Sequence, residues 1–194
     1  MNNASIILKN HADELLNALT KLGTAPFDDI FTIDINCAQL AAYESGCHGS
    51  AESSRIISTL HAHTGSAGPA VYWYEIISDH SATQIREHFE TLKEAMGHRK
   101  LPATKKNYEK GSKVLYVGKG NANISGRMFL HLGYETRHIH LQGLQLCHWD
   151  YHGELCSLRL RLNIIFLPMD MTAFAPLFER RLADAFNPIL GRHS

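Results

Sequence analysis

A handful of residues in this 194-residue chain combine types suited to phosphate chemistry. Tyr72 follows the breaker Gly65-Ser66-Ala67-Gly68-Pro69 by a few residues, at the start of a strand-like run. Tyr116-Val117-Gly118-Lys119-Gly120 reads as a strand running into a glycine turn. Arg127 follows on a short amphipathic stretch, with His131 four residues later on the same helical face. Glu179 lies near the end of the chain among Phe178, Leu182 and Phe186. A planar guanidinium can grip a phosphate with two donors at once. A carboxylate can hold Mg²⁺, which keeps several waters and also takes phosphate oxygens. A histidine near neutrality can move a proton or bind phosphate. A tyrosine, with a pKa of about 10, is a poor base unless a neighbouring cation such as Lys119 or Arg127 lowers it.

The elements that must carry these residues follow from local pattern. Residues 11–22 have apolar positions at helical spacing and end at Gly23 and Pro26. Phe31–Ile35 alternates as a short strand, and Ser53–His61 reads as a second helix. Ala70–Ile77 is dense in aromatic and β-branched residues, as strands are. Ser81 is a candidate N-cap for a helix over 82–96, with Ile85, Phe89, Leu92 and Met96 in one stripe. A strand is expected over 113–118 and a helix over 125–132. Residues 137–149 and 155–167 read as two strands joined by the turn Asp150-Tyr151-His152-Gly153, and a helix follows from 171 or 172 to 186. This order predicts an α+β fold, a small antiparallel β-sheet flanked by helices.

The ordered set of Tyr72, Tyr116, Arg127, His131 and Glu179 resembles the GIY-YIG nuclease family. Ala70-Val71-Tyr72 looks like its first motif, with alanine in place of glycine. Tyr116-Val117-Gly118 looks like the second, followed by Lys119. The family's helical arginine matches Arg127, its histidine or tyrosine one turn later matches His131, and its late acidic residue matches Glu179. The family's late asparagine falls on Gly191, with Asn187 near. The resemblance covers about 70–191. It divides the chain into an N-terminal helical extension, 1–69, and a nuclease domain, 70–194, with an insertion at about 79–112 between the two tyrosine motifs.

The resemblance implies a Mg²⁺-dependent (or Mn²⁺-dependent) endonuclease acting on double-stranded DNA, in the restriction-enzyme branch. DNA repair or mobile-element nucleases and a catalytically silent nucleic-acid-binding module are the alternatives. Phosphodiester hydrolysis needs an activated water, a stabilised phosphorane and help for the leaving oxygen. In a one-metal scheme Glu179 holds the ion, Tyr72 takes the proton, Arg127 stabilises charge, Tyr116 positions the phosphate and His131 relays a proton or binds phosphate. One such site cuts one strand at a time, so clean double-strand cleavage implies a homodimer or sequential nicking.

Lys plus Arg and Asp plus Glu are 19 each, so the chain is formally neutral. The charges are nevertheless segregated. Residues 1–98 carry 5 cations and 12 anions, whereas 99–119 carry 7 and 1. Within that basic stretch Lys105, Lys106, Lys113 and Lys119 are candidate phosphate contacts, and Tyr108 could add stacking. Four scattered cysteines, Cys37, Cys47, Cys147 and Cys156, do not suggest a disulfide scaffold. His61-x-His63, His138-x-His140, Cys47-His48 and Cys147-His148 match no structural zinc spacing. No run approaches the roughly 18–20 apolar residues of a membrane span, and the start lacks a basic leader, so a cytoplasmic location is expected. Taken singly, each tyrosine would be a core aromatic and Arg127 a solvated helix residue. Only the set points to chemistry.

Overall fold

A strand buried on both faces must be apolar throughout, and Ala70–Ile76 meets that requirement with Glu75 alone incompletely buried. In the computed structural model, which describes residues 29–40, 49–63, 68–96, 101–105, 107–134 and 142–191 together with Asp13 and Asn17, this strand lies inside a four-stranded antiparallel sheet. The strands are β1 (Phe31–Asn36), β2 (Ala70–Ile76), β3 (Val114–Gly120) and β4 (Arg159–Phe166), in the order β1-β4-β2-β3. Tyr72 pairs with Gly118 of β3 on one side and Ile164 of β4 on the other.

The helices are α1 (Cys37–Leu40), α2 (Ala51–Ala62), α3 (Ala82–Met96), α4 (Ile124–Leu132) and α5 (Ala175–Phe186). Strand alternation sends Tyr72, Tyr74, Ile33, Leu162 and Ile164 into one core, closed by Ile56 and Leu60 of α2, Ile85 and Phe89 of α3, and Met128 of α4. The opposite face presents Val71, Trp73 and Val117 to α5, whose Ala183, Leu182 and Phe186 cover them. The Trp73 and Phe186 rings meet at 5.4 Å. Ala70 adopts no left-handed backbone, so the alanine at the family's glycine position carries no strain.

The expected α+β class and most element positions match the observed ones. Of the helix expected over 11–22, only Asp13 and Asn17 are described, both helical. Phe31–Asn36 is a full edge strand of the sheet, so residues 1–69 contribute a strand as well as helices, and they share their core with the rest of the chain. The strand expected over 137–149 is not formed in its described part. Residues 142–145 are irregular and Leu146–His148 makes a 3-10 turn. There the apolar side chains are buried without a ladder, because side chains satisfy the backbone: Trp149 Nε1 donates to the Leu144 carbonyl at 2.8 Å and the Tyr151 hydroxyl to the Leu146 carbonyl at 2.6 Å. Gln145, at φ 58°, also breaks the extended path. The last helix is preceded by a 3-10 segment, Met169–Phe174, and α5 proper starts at Ala175. Among the described residues no helix is long and apolar enough to cross a membrane.

The outer edge of β1 is closed by α2. Arg55 Nη2 donates to the Asp34 carbonyl at 2.6 Å, and the Asn36 N–H donates to Glu52 Oε1 at 3.1 Å. Arg55 in turn grips Glu52 through Nε and Nη2, both at 2.8 Å. Two of the backbone groups that could template another strand are thereby occupied. The hydrogen bond from Arg55 holds the Glu52 carboxyl below its usual range, against the opposing effect of burial, and Arg161 does the same for Asp34. Both carboxyls therefore add stability that is present above pH about 4 and lost as pH falls through their lower folded-state values. Glu52 is only 8% exposed. Glu52→Gln should lower unfolding stability at pH 7 by about 1–3 kcal/mol. Urea titrations should show that difference shrinking as pH falls through the lowered folded-state value, where the native carboxyl is itself protonated.

Candidate functional site

β3 is the other edge of the sheet, and only its first half is covered. The Ile189 and Leu190 N–H groups donate to the carbonyls of Val114 and Leu115, both at 2.9 Å, and Gly191 N–H donates to Ala103 O at 2.7 Å. Beyond that cover a cavity of about 470 Å³ opens beside Tyr116, Lys119 and Gly120. Arg127 of α4, Glu179 of α5, Gln142, Gly191 and the turn residues Asn121 and Ala122 complete its wall.

Local sequence explains how these residues meet. Asn123 takes a left-handed conformation (φ 51°) and accepts from the Gly126 N–H at 3.0 Å, which turns the chain sharply from β3 into α4. That turn brings Arg127 back over β3. Gly118 leaves space for Tyr72. A Cβ there would sit 2.5 Å from the Tyr72 hydroxyl and 2.7 Å from the Tyr116 ring. The glycine of the second motif is thus a requirement of close approach.

Tyr72 is fully buried and stands behind the cavity wall, whereas Tyr116 lines the cavity. Arg127 Nε donates to the Tyr72 hydroxyl oxygen at 3.0 Å and Nη1 to the Gln142 carbonyl at 2.9 Å. His131 Nε2 lies 2.7 Å from the same Tyr72 oxygen, and the Leu144 N–H donates to His131 Nδ1 at 3.2 Å. The Tyr74 hydroxyl donates to Met128 Sδ at 3.2 Å.

Burial raises the Tyr72 pKa, and the charge and hydrogen bond of Arg127 only partly offset it. Tyr116 is raised for the same reason, with Arg127 again opposing and Glu179 adding to the rise. The expectation that a neighbouring cation would lower Tyr72 is therefore corrected: desolvation outweighs the guanidinium. His131 is likewise not poised near neutrality. Burial, and then the charge of Arg127, hold it well below the usual imidazole range. With both ring nitrogens engaged and no exposed surface, it does not reach a phosphate in the cavity.

The remaining candidates divide. Lys119 is in the wall, its Nζ donating to Asn121 Oδ1 at 3.1 Å. Lys105 is half-buried on the stretch that runs beside 189–191; burial lowers its pKa, and Asp184 opposes that shift. Lys113 lies toward the opposite end of β3, about 20 Å along the strand from Lys119, where its Nζ donates to the Ser78 and His80 carbonyls at 3.3 Å each. Lys106, with Arg99, Lys100, Cys47, His48, His138 and His140, lies outside the described residues. Asn187 is the left-handed cap of α5 and its carbonyl accepts from Ser112 Oγ at 3.0 Å, while Gly191 stands in the cavity wall. Gln142 had no signal in the sequence, because the group that holds Arg127 is its backbone carbonyl.

Gly118→Ala should cost roughly 1–3 kcal/mol through overpacking against Tyr72, read as a fall in urea midpoint. In ultraviolet titration the tyrosinate absorbance below pH 10 should be the same in Tyr72→Phe as in the native chain, since a buried Tyr72 stays protonated there.

Comparison with protein-family models, with curated proteins and with solved structures gives no match to this chain.

Proposed function

We propose that the chain is a divalent-metal-dependent endonuclease of the GIY-YIG type that hydrolyses DNA phosphodiester bonds, in the manner of restriction enzymes. The observation that carries this reading is the cavity itself. It gathers Tyr116 and Lys119 from β3, Arg127 from α4 and Glu179 from α5, two cations, a phenol and a carboxylate around one opening.

The donor set suits Mg²⁺ or Mn²⁺ better than zinc. Among the described residues Glu179 is the one carboxylate in the wall, and no group of three or more His, Cys, Asp or Glu is placed to hold a metal. A hard ion that keeps most of its waters and takes phosphate oxygens needs no more than one or two carboxylates. Bound beside Glu179, such an ion would supply Lewis-acid stabilisation of the phosphorane.

The chain's own residues supply the rest. Two of the five guanidinium donors of Arg127 are spent on Tyr72 and Gln142, and the group still faces the cavity, where it stabilises charge on a phosphate. Lys119 adds a second cation. Tyr116, rather than Tyr72, lines the cavity and is the tyrosine that could position a phosphate or an attacking water. Lys105, whose N–H donates to the Ile189 carbonyl at 3.1 Å, lies outside the cavity wall and would at most meet a flanking phosphate of double-stranded DNA. A homodimer would set two such sites on opposite strands.

Incubation with plasmid and genomic DNA, with and without Mg²⁺, tests the reading. Discrete fragments are expected with the ion and none without it. Glu179→Ala and Arg127→Ala should each reduce cleavage by about 10²–10³-fold. Full activity in Glu179→Ala would remove the metal assignment. Smears or nicks would point to a repair-type enzyme, and binding without cleavage to a silent module.

A further inference from the structure

Behind the cavity four hydrogen bonds link five groups into a ring that the main chain of 142–144 closes. Arg127 reaches the Gln142 carbonyl with Nη1 and the Tyr72 oxygen with Nε; His131 Nε2 meets that same oxygen, and Leu144 N–H reaches His131 Nδ1. The direction of each bond can be worked out from the chemistry of the groups. A backbone N–H only donates, so His131 Nδ1 must carry a lone pair. An imidazole with Nδ1 bare and Nε2 also bare would be an imidazolate, which does not exist near neutral pH. The proton therefore sits on Nε2, and Nε2–H donates to Tyr72. A doubly protonated ring would set Nδ1–H against the Leu144 N–H.

Two N–H donors thus converge on one phenolic oxygen, from His131 and from Arg127. The proton of that hydroxyl points away from both. His131 has no lone pair facing Tyr72 and cannot take a proton from it.

We propose that His131 is a positioning residue, locked by the Leu144 backbone as its Nε2–H tautomer so that it pins the Tyr72 oxygen, and that Tyr72 in turn holds Arg127 in line with the cavity. The role in catalysis rests on the nuclease reading above, whereas the tautomer and the hold on Arg127 do not. His131 is neutral in this arrangement, consistent with its burial among Tyr72, Tyr74, Tyr116 and Arg127. The residues 142–144 act as a strap that fixes both ends of the ring, and Gln142 ties it down by donating from Nε2 to the Leu101 carbonyl at 3.0 Å.

The amide side chain of glutamine offers an acceptor and a donor in one planar group, as this tautomer does, and leucine offers neither. Three readouts follow. In nitrogen-15 spectra of the native chain His131 should show a protonated Nε2 and a bare Nδ1, unchanged from pH 5.5 to 9. A protonated Nδ1, or a titration near pH 6.5, overturns the proposal. Modification of Arg127 by phenylglyoxal, followed by mass spectrometry, should speed up about tenfold or more in His131→Leu and Tyr72→Phe, with His131→Gln restoring most of the protection. Equal rates in all four proteins overturn the hold on Arg127. In cleavage assays His131→Leu should lose about 10²-fold in kcat with KM little changed, the scale of a misplaced catalytic group, and His131→Gln should recover at least tenfold of that loss. A chain that cleaves no nucleic acid overturns the nuclease reading, while the spectra and the arginine modification still decide this one.

Discussion

The burial of β2 is the constraint from which the rest of the structure follows. With β3 and β4 on its two sides and helices over both faces, every residue of this strand but Glu75 is buried. The Tyr72 and Tyr74 hydroxyls must find partners inside the protein, since an orphaned hydroxyl would cost on the order of 1–3 kcal/mol. Tyr74 settles on a weak sulfur acceptor, Met128, a contact confined to the core. Tyr72 sits one register step nearer the open end of β3, where α4 passes over it, and its partners are Arg127 and His131. A core requirement and the placement of a guanidinium in the cavity wall are met by the same oxygen. The guanidinium that lines the cavity is held by an atom that never touches it.

The two edges of the sheet are treated in opposite ways. The β1 edge is met by charged side chains from α2, which occupy the Asp34 carbonyl and the Asn36 N–H. The β3 edge is closed by main chain, residues 189–191, but only as far as Tyr116. What remains is bare strand ending in Gly118-Lys119-Gly120, and the cavity occupies that gap. A sheet with both edges sealed would have had no place for it. The polar site is thus a consequence of incomplete edge cover rather than of a cleft between domains.

The sequence was most informative where one physical rule dominated. Aromatic and β-branched density marked β2, the helical stripe Ile85, Phe89 and Leu92 marked α3, and the strand-then-glycine pattern marked β3. It misled where side chains replaced the backbone ladder, as in 142–149, because apolar alternation looks the same whether it lines a strand or anchors a loop through Trp149 and Tyr151. Within the site, Tyr116, Lys119, Arg127 and Glu179 were legible from type and spacing and do share one cavity. The depth of Tyr72 and His131 was not, since exposure depends on which elements pack above them. Lys113 looked like Lys119, yet strand geometry carries it to the other end of β3. Gly191 and Asn187 show a further limit: proximity in sequence put both in view, but only the cavity wall distinguishes a cap from a lining position.

The pairing of β1 with β4 has a consequence for the chain as it is made. Asp34 and Arg161, bonded across these strands, are 127 residues apart in sequence. At roughly 5–20 residues per second of synthesis, β1 must wait on the order of ten seconds before its partner exists. Through that interval its alternating Phe31, Ile33 and Ile35 have no sheet to join. The Glu52 and Arg55 pair on α2, close behind in sequence, can meet two backbone groups of the outer edge early, but the edge that β4 will take stays open. Half of this strand's protection is thus local and early, and the other half waits for the far end of the chain.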